Sequence, residues 1–182
     1  MLAFAREFFA VNINFFHGMV KILIPKFFDK HFFCYAFNML SAFKGRKIRF
    51  SYDNQTQQYL ASEGGIIKYF MIRQQNLYSY QDGFSRRAQS LSDTYLLNLI
   101  DFSENDLIVD CGANNGDFLM ALESKMTDLR YIAFEPGPIE FGTLRENIGK
   151  HLAVNMALGD ANGTVDFYLS EQNADSSIVP SD

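Results

Sequence analysis

A carboxylate and two glycines in the middle of the chain have the spacing of a small-ligand site. Residues 107–117 read Leu-Ile-Val-Asp-Cys-Gly-Ala-Asn-Asn-Gly-Asp, so an apolar run ends in Asp110 and is followed by Gly112 and Gly116. Gly112 can adopt a positive φ and let the backbone approach a ligand, and Gly116 can let a helix pack close to the strand. A strand, a tight turn and a helix N-terminus form the layout in which α/β proteins hold a nucleoside cofactor.

The glycine spacing argues against a dinucleotide site. The dinucleotide fingerprint is GxGxxG, in which backbone N–H groups face a pyrophosphate, but position 114 of this chain is Asn. The remaining D-x-G-x-x-x-G pattern is typical of S-adenosylmethionine (SAM) sites, whose ligand carries a sulfonium and no phosphate. We expect Asp110 and Asn114 to hold the methionine end of SAM. The predicted binding residues of this turn are Asp110, Gly112, Ala113, Asn114 and Gly116.

A second carboxylate lies at the end of the next apolar run, Arg130-Tyr-Ile-Ala-Phe-Glu135. Glu135 follows Gly116 by 19 residues. An acidic residue about 20 residues after the glycine turn, at the tip of the second strand, accepts hydrogen bonds from ribose hydroxyls. We therefore predict that Glu135 binds the ribose of the cofactor, and we include the following Pro136 in the site. The alternative is a solvated carboxylate at a strand end.

Together these blocks resemble FkbM-type SAM-dependent methyltransferases over residues 78–180. The resemblance implies a Rossmann-like class I methyltransferase fold and methyl transfer from SAM to a hydroxyl of a glycan or secondary-metabolite acceptor. It also implies that Asp160 meets the exocyclic amine of adenine, with a turn-stabilising Asp as the alternative. The motifs that carry it are Asp110-Cys-Gly-Ala-Asn-Asn-Gly116, Phe134-Glu-Pro-Gly-Pro138, Asn155-Met-Ala-Leu-Gly-Asp160, Gly163-Thr-Val-Asp-Phe-Tyr168 and Ser176-Ser177.

The sequence given departs from the family pattern at its end. Family members continue past the Ser176-Ser177 region into further strands, whereas this sequence stops at Asp182. The expectation is an α/β fold that is incomplete at the C-terminus, with residues 89–182 forming the N-terminal half of the methyltransferase domain. Acceptor-side residues would lie mostly beyond this half, so the catalytic residues are unknown. The competing hypothesis is a truncated, inactive remnant that acts as a membrane-surface or partner-binding module.

Two segments precede this half-domain. Residues 1–45 are predicted to form a basic, Phe-rich helical segment broken near Pro25, and residues 46–88 a β-rich lead-in or cap built from antiparallel strands. A polar loop, residues 80–87, should lead into a helix over residues 90–100 whose apolar face comprises Leu91, Tyr95, Leu96 and Leu99. Weaker candidates for contact with cofactor or acceptor are Tyr80, Asp82 and Arg87.

The helices and strands expected around the site follow from the hydrophobic periodicity of the sequence and from its turn residues. Strands are predicted at residues 106–111, 130–135 and 152–158, and helices at 115–125 and 138–148. Pro136 and Pro138 suit the first turn of the second helix. The dipeptide Asn162-Gly163 should turn the chain into a further alternating strand at residues 164–169.

Charge is divided unevenly along the chain. Residues 1–50 contain eight Lys and Arg against two Asp and Glu, and 12 of the 19 Phe, whereas residues 51–182 contain eight basic against 19 acidic residues. Aromatic residues interleaved with lysines suit an interfacial helix on an anionic membrane. The alternative is a helix packed within the protein or a dimer. The acidic body argues against nucleic acid as partner, and the oligomeric state is open.

Cysteine and metal chemistry are not expected to carry function. Cys34 and Cys111 do not suggest a disulfide framework, and we interpret Cys111 as a small buried hydrophobe. A calcium-loop pattern starting at Asp160 has Val165 where the sharp bend needs glycine, so no metal is predicted. The default compartment is the cytoplasm, with peripheral contact to the inner membrane surface as the alternative.

Overall fold

The computed structural model describes residues 30–64, 67–71 and 76–168 of the chain. They form a mixed α/β structure with an antiparallel sheet in the order β1-β2-β3 and a parallel sheet in the order β4-β5-β6. The elements are α1 (Lys30–Phe43), β1 (Ile48–Asp53), β2 (Gln58–Glu63), β3 (Ile67–Met71), α2 (Asn76–Tyr80), α3 (Phe84–Thr94), a 3₁₀ turn (Leu97–Leu99), β4 (Leu107–Cys111), α4 (Phe118–Glu123), β5 (Arg130–Phe134), α5 (Pro138–Asn147) and β6 (Leu152–Val154).

The antiparallel sheet confirms the predicted β-rich lead-in. Strand β1 alternates strictly, with Ile48, Phe50 and Tyr52 buried and the residues between them exposed. Helix α1 covers the buried face, and the Asn38 side chain fixes it there by donating to the Phe50 carbonyl at 2.8 Å and accepting the Phe50 N–H at 2.7 Å. The predicted helix over residues 1–45 is confirmed from Lys30 onward; residues 1–29, including Pro25, lie outside the described residues.

The helix before the parallel sheet lies earlier than predicted. Helix α3 spans Phe84–Thr94 and includes residues 84–87, the second half of the segment that was expected to be a polar loop. It ends because the chain reverses at Leu96, whose φ of 55° is left-handed. Leu91 and Leu97 are therefore buried, while Tyr95, Leu96 and Leu99 of the predicted apolar face are exposed. The expected division between residues 88 and 89 falls within this helix.

The parallel sheet contains two successive strand–helix–strand crossovers. Val109 of β4 pairs with Ile132 of β5, which pairs with Leu152 of β6. Crossovers between parallel strands are almost always right-handed, which places α4 and α5 on the same face of this sheet. Leu122 and Leu144 are buried in one core cluster with strand residues. Strands were predicted correctly at β4 and β5, and β6 is shorter than predicted.

Two other predicted elements differ. Helix α4 begins only at Phe118 because residues 113–117 form tight turns, with the Gly116 N–H donating to the Ala113 carbonyl at 2.7 Å. Of the strand expected over residues 164–169, residues 164–167 belong to neither sheet, Tyr168 forms a single bridge pair, and residue 169 lies outside the described residues. An alternating pattern forms a strand only where a neighbouring edge supplies hydrogen-bond partners.

The Asn147 side chain at the end of α5 links the two sheets. The Asn147 amide accepts the Phe70 N–H and donates to the Phe70 carbonyl, both at 2.8 Å, and also donates to the Asn115 carbonyl at 2.7 Å. Strand β3 is therefore held beside the turn that follows β4. Within the part of the chain that the structure describes, no helix has the length and apolar character needed to cross a bilayer.

Candidate functional site

The turn after β4 folds back onto the end of β5. The N–H groups of Gly112 and Ala113 both donate to the Phe134 carbonyl at 2.9 Å. The φ angles of Gly112, Asn114 and Gly116 are 77°, 51° and 83°, so three residues of this turn are left-handed. A Cβ at Gly112 would meet no atom within 4 Å. Gly112 is therefore required for its backbone conformation, as predicted, and Asn is among the few other residues that tolerate such a φ.

Glu135 connects this turn to the start of α5. Its side chain is buried, with 6% of its surface exposed. One carboxylate oxygen accepts the Asn114 N–H at 2.7 Å, and the other accepts the Gly137 N–H at 2.7 Å. The alternative of a solvated carboxylate is therefore wrong. Burial raises the pKa of Glu135; the two N–H donors oppose that shift, and the negative charges of Glu140 and Asp110 add to it.

Gly137 lets two carboxylates approach each other. A Cβ at this position would lie 2.6 Å from Glu140 Oε2 and 2.9 Å from Glu135 Oε1, closer than real contacts allow. The φ of Gly137 is an ordinary −66°, so a larger residue here would meet no backbone strain but would have to displace the two carboxylates. Pro138 then begins α5, where its missing N–H costs no hydrogen bond.

Asp110 points to the same region from the end of β4. It accepts a hydrogen bond from the Tyr131 hydroxyl at 2.5 Å. Burial raises the pKa of Asp110, the Tyr131 hydrogen bond opposes this shift, and the negative charge of Asp117 adds to it. The negative charge of Asp117 therefore acts on Asp110, and that of Asp110 acts on Glu135.

Asp117 was not predicted from the sequence as a site residue, and it accepts hydrogen bonds from side chains of α2 and α3. Arg87 donates to Asp117 Oδ2 from Nε at 2.8 Å and also from Nη2, and the Tyr80 hydroxyl donates to the same oxygen at 3.3 Å. Burial raises the pKa of Tyr80 well above its ordinary value. Two of the weaker candidates, Tyr80 and Arg87, therefore meet at Asp117, whereas Asp82 pairs with Arg46 at 3.3 Å.

Charge in this region is predominantly negative. The charge of Asp117 acts on Asp110, the charges of Asp110 and Glu140 act on Glu135, and Arg87 is already bonded to Asp117. Such a field favours a cationic ligand over an anionic one. The signal that could have revealed Asp117 in the sequence is its place directly after Gly116, at the end of the glycine turn.

A groove of about 670 Å³ opens beyond the ends of β5 and β6. Pro136, the residues of the loop from Asn155 to Val165, and Phe167 line it. Asn155 anchors this loop by donating to the carbonyls of Glu135 at 2.7 Å and Pro136 at 3.1 Å. Asp160 lies exposed on the loop and lines the same groove as Pro136. The groove therefore lies next to Glu135, because Pro136, which lines the groove, directly follows Glu135 in the chain.

Cysteine placement differs in part from expectation. Cys34 is buried, but Cys111 is exposed, so its interpretation as a buried hydrophobe is wrong. Odd positions of β4 face away from α4 and α5, and Cys111 is one of them. Within residues 30–64, 67–71 and 76–168, no three His, Cys, Asp or Glu side chains are grouped as metal ligands would be.

Comparisons of the chain with protein-family models, with curated proteins and with solved structures find no match. The resemblance to FkbM-type methyltransferases therefore remains a prediction that rests on the quoted motifs. The geometry of the site is independent of that resemblance.

Proposed function

We propose that the chain is a SAM-binding domain of an FkbM-type methyltransferase with a Rossmann-like sheet. It would bind SAM at the carboxyl ends of β4, β5 and β6 and methylate a hydroxyl of a glycan or secondary-metabolite acceptor. The observation that carries the proposal is the left-handed glycine turn after β4, held against Glu135 at the tip of β5. Open α/β sheets bind ligands at this edge.

The residues present fit the parts of SAM. A carboxylate has about four lone-pair positions, so Glu135 can accept ribose hydroxyls in addition to the two N–H groups that it already binds. The carboxylates of Asp110 and Asp117 suit the ammonium of the methionine end. Pro136 and Asp160 line a groove wide enough for a purine, where Asp160 can accept from the adenine amine.

Electrostatics favour SAM over a dinucleotide. A pyrophosphate would enter a region where nearby negative charges already add to the raised pKa values of Asp110 and Glu135. The sulfonium and ammonium of SAM instead gain from the same negative field. Position 114 also carries an Asn side chain where a pyrophosphate site has glycine.

Positioning is the main contribution expected from these side chains. SAM supplies a methyl group activated by its sulfonium, and transfer to a hydroxyl is an in-line displacement that depends on alignment of donor and acceptor. Glu135 and the turn would fix the nucleoside, while Arg87 and Tyr80 would orient Asp117 toward the methionine end. The hydrogen bonds from Asn114 and Gly137 would hold the Glu135 carboxylate in place for the ligand.

Calorimetric titration of the full chain with SAM tests the proposal. We expect binding by the native chain, and a loss of about tenfold or more in affinity for Glu135→Ala because a charge-assisted hydrogen bond to ribose disappears. Asp160→Ala, which alters an exposed side chain, should weaken binding without affecting folding. Glu146→Ala, at an exposed carboxylate of α5, is the matched control and should bind normally.

The outcomes separate the two hypotheses raised by the sequence. No heat with SAM, from a chain whose circular dichroism shows it folded, would reject the cofactor proposal. SAM binding with methyl transfer to hydroxyl acceptors would support the full assignment. SAM binding without transfer to any glycan or polyketide hydroxyl would favour the inactive binding module.

A further inference from the structure

We propose that Tyr131 is a positioning residue of the cofactor site, whose hydroxyl holds the Asp110 carboxylate in place for the ammonium of SAM. This inference rests on the proposed function, because Asp110 has that role only if SAM binds. The Tyr131 hydroxyl donates to Asp110 Oδ2 at 2.5 Å. A carboxylate accepts at both oxygens, so Asp110 can bind Tyr131 through Oδ2 and a ligand through Oδ1.

The register of the parallel sheet directs the Tyr131 hydroxyl to the carboxyl edge. Tyr131 pairs with Ile108, and Asp110 pairs with Ala133, so Tyr131 and Asp110 lie on one face of neighbouring strands, two positions apart. Ala133 follows Tyr131 on that face and carries only a methyl group. The space beside this small side chain lets the tyrosine ring extend along the sheet to Asp110.

The ring of Tyr131 is enclosed, so its hydroxyl has a fixed position. Tyr131 is 3% exposed and belongs to the core cluster that contains Leu122 and Leu144. The His151 ring packs edge-on against it, with 5.7 Å between ring centroids. A phenylalanine would fill the same space, so packing does not account for the hydroxyl. A buried hydroxyl needs a hydrogen-bond partner, and here that partner is a carboxylate of the proposed site.

Electrostatics give this hydrogen bond a consequence for ligand binding. Burial raises the pKa of Asp110, the Tyr131 hydrogen bond opposes that shift, and the negative charge of Asp117 adds to it. Burial also raises the pKa of Tyr131, and the charge of Asp110 adds to that shift, so Tyr131 keeps its proton and donates. Because an ammonium gains most from an ionised carboxylate, Tyr131 favours the form of Asp110 that binds the ligand.

Other ionisable groups of this region are connected to Asp110 or Tyr131. The charge of Asp110 acts on Glu135. The groups that reach Asp117 or the Tyr131 ring from other elements are Arg87, Tyr80 and His151. A pH profile alone would therefore combine several titrations, and variants are needed to isolate the contribution of Tyr131.

Calorimetric titration of the full chain with SAM over a range of pH tests the role. Tyr131→Phe keeps the ring and removes only the hydroxyl, so its circular dichroism should match that of the native chain. Near neutral pH its SAM affinity should be lower by about three- to tenfold. The pH below which binding weakens should lie about one unit higher, because Asp110 loses a hydrogen bond that favours its charged form. A hydroxyl with a structural role only would leave this pH unchanged.

The matched control removes a tyrosine hydroxyl elsewhere. Tyr35 on α1 is 61% exposed, and Tyr35→Phe should keep both the native SAM affinity and the native pH profile. A loss in Tyr35→Phe equal to that in Tyr131→Phe would overturn the proposal, because the effect would not be specific to the contact with Asp110.

A double-mutant cycle shows whether Tyr131 acts through Asp110. Asp110→Asn alone should weaken SAM binding by about tenfold or more, since the ammonium loses a charged partner. Adding Tyr131→Phe to Asp110→Asn should cost less than about a further twofold, because residues that act through one contact are not additive. Losses that multiply in full would mean that Tyr131 acts independently of Asp110, and would overturn the proposal.

Carbon NMR of the ligand-free chain gives a readout that does not depend on SAM. The pH midpoint of the Asp110 carboxyl resonance should lie about one unit higher in Tyr131→Phe than in the native chain. Saturating SAM should shift the same resonance in the native chain, which is a measurement that needs no variant. An Asp110 resonance that does not respond to bound SAM would overturn the proposal.

The combined results distinguish this inference from the cofactor proposal. If the native chain binds SAM and Tyr131→Phe matches it in affinity and pH profile, the positioning role is wrong while the cofactor proposal stands. If the native chain does not bind SAM, the cofactor proposal fails and the positioning role fails with it, even where the Asp110 midpoint moves. SAM binding with a displaced pH profile and a non-additive cycle supports the role of Tyr131.

Discussion

The two sheets within the described part of the chain differ in the chemistry of their uncovered faces. In the antiparallel sheet, α1 covers the apolar side of β1, and the opposite side carries Arg49, Ser51 and Asp53. In the parallel sheet, α4 and α5 cover one side, and the opposite side presents the exposed apolar residues Leu107, Val109 and Leu152. Alternation of apolar and polar residues is typical of sheets with one solvent-exposed face. Continuous apolar runs are typical of parallel sheets covered on both faces.

The antiparallel sheet mainly contributes stability, and the parallel sheet carries the residues suited to bind a ligand. The aromatic core under α1 is buried. The antiparallel sheet also supports the turn after β4, because Asn147 bonds to both Phe70 and Asn115. The parallel sheet places carboxylates and left-handed turns at its carboxyl edge instead. The well-packed antiparallel sheet thus supports the carboxyl edge of the parallel sheet, where the proposed ligand would bind.

The largest expected effect concerns the closed core of the antiparallel sheet. Phe37→Ala should lower the free energy of unfolding by about 3–5 kcal/mol, because a fully enclosed ring leaves a cavity. Phe43→Ala, on the exposed side of the same helix, should change it by no more than about 0.5 kcal/mol in lipid-free solution. Urea unfolding followed by circular dichroism measures both. Equal losses in the two variants would mean that the outward side of α1 is also packed.

The next comparison uses the two faces of the parallel sheet. Leu144 is 0% exposed between α5 and the sheet, whereas Leu152 on β6 is 56% exposed. Leu144→Ala should cost about 2–5 kcal/mol and Leu152→Ala no more than about 0.5 kcal/mol. A large cost for Leu152→Ala in urea unfolding would show that its face is covered in solution.

The link between α3 and the glycine turn should have a smaller effect. Arg87→Ala removes the charge-assisted hydrogen bonds to Asp117 and should cost about 1.5–3 kcal/mol. Arg86, the neighbouring and exposed arginine, is a matched control whose replacement by Ala should be nearly neutral. Thermal unfolding of the two variants tests this, and similar midpoints would show that the Arg87–Asp117 pair adds little.

Glu135 gives the smallest stability difference but a distinctive pH dependence. An unfolded glutamate has a pKa of about 4.3, and burial raises the pKa of folded Glu135. The folded state then keeps this proton to a higher pH than the unfolded chain, so stability falls as pH rises from the ordinary pKa through the raised one. Asp110 contributes a fall of the same sign through its own raised pKa.

The Glu135→Gln variant isolates that contribution. It should show a weaker fall of stability over this pH window because its side chain does not titrate. It should also be less stable by about 1–3 kcal/mol, since the amide NH₂ must face one of the backbone N–H donors. Glu146→Gln, at an exposed position, should keep the native slope. An unchanged slope in Glu135→Gln would contradict the assigned cause of the pKa shift.

Local patterns in the sequence predicted the parts of the fold that local forces determine. The strands β4 and β5, helix α5 and the positive φ of Gly112 follow from apolar runs, Pro138 and turn chemistry. The reversal at Leu96 was not predicted, because nothing in the local sequence indicates that this leucine adopts a left-handed φ. Residues 164–167 likewise alternate as a strand does, and only the absence of pairing in either described sheet distinguishes them.

The candidate site was predictable in outline only. Asp110 and Glu135 were identified by their positions at strand ends, and both lie at the same edge of the sheet. Asp117 could have been noticed from its place directly after Gly116, but its contacts with Tyr80 and Arg87 span 37 and 30 residues, so spacing could not reveal those contacts. The burial of Glu135 depends on N–H groups from two turns, which only the folded chain brings together.

Amide NMR spectra of the full chain titrated with SAM test the cofactor site most directly. The proposal predicts shifts concentrated at the N–H groups of Gly112, Asn114 and Gly137, with little change in β1 and β2, and no comparable response to NADH. The N–H of Asn114 is the most informative because it already donates to Glu135. No shift at these amides with saturating SAM, or shifts confined to the antiparallel sheet, would contradict the proposed site.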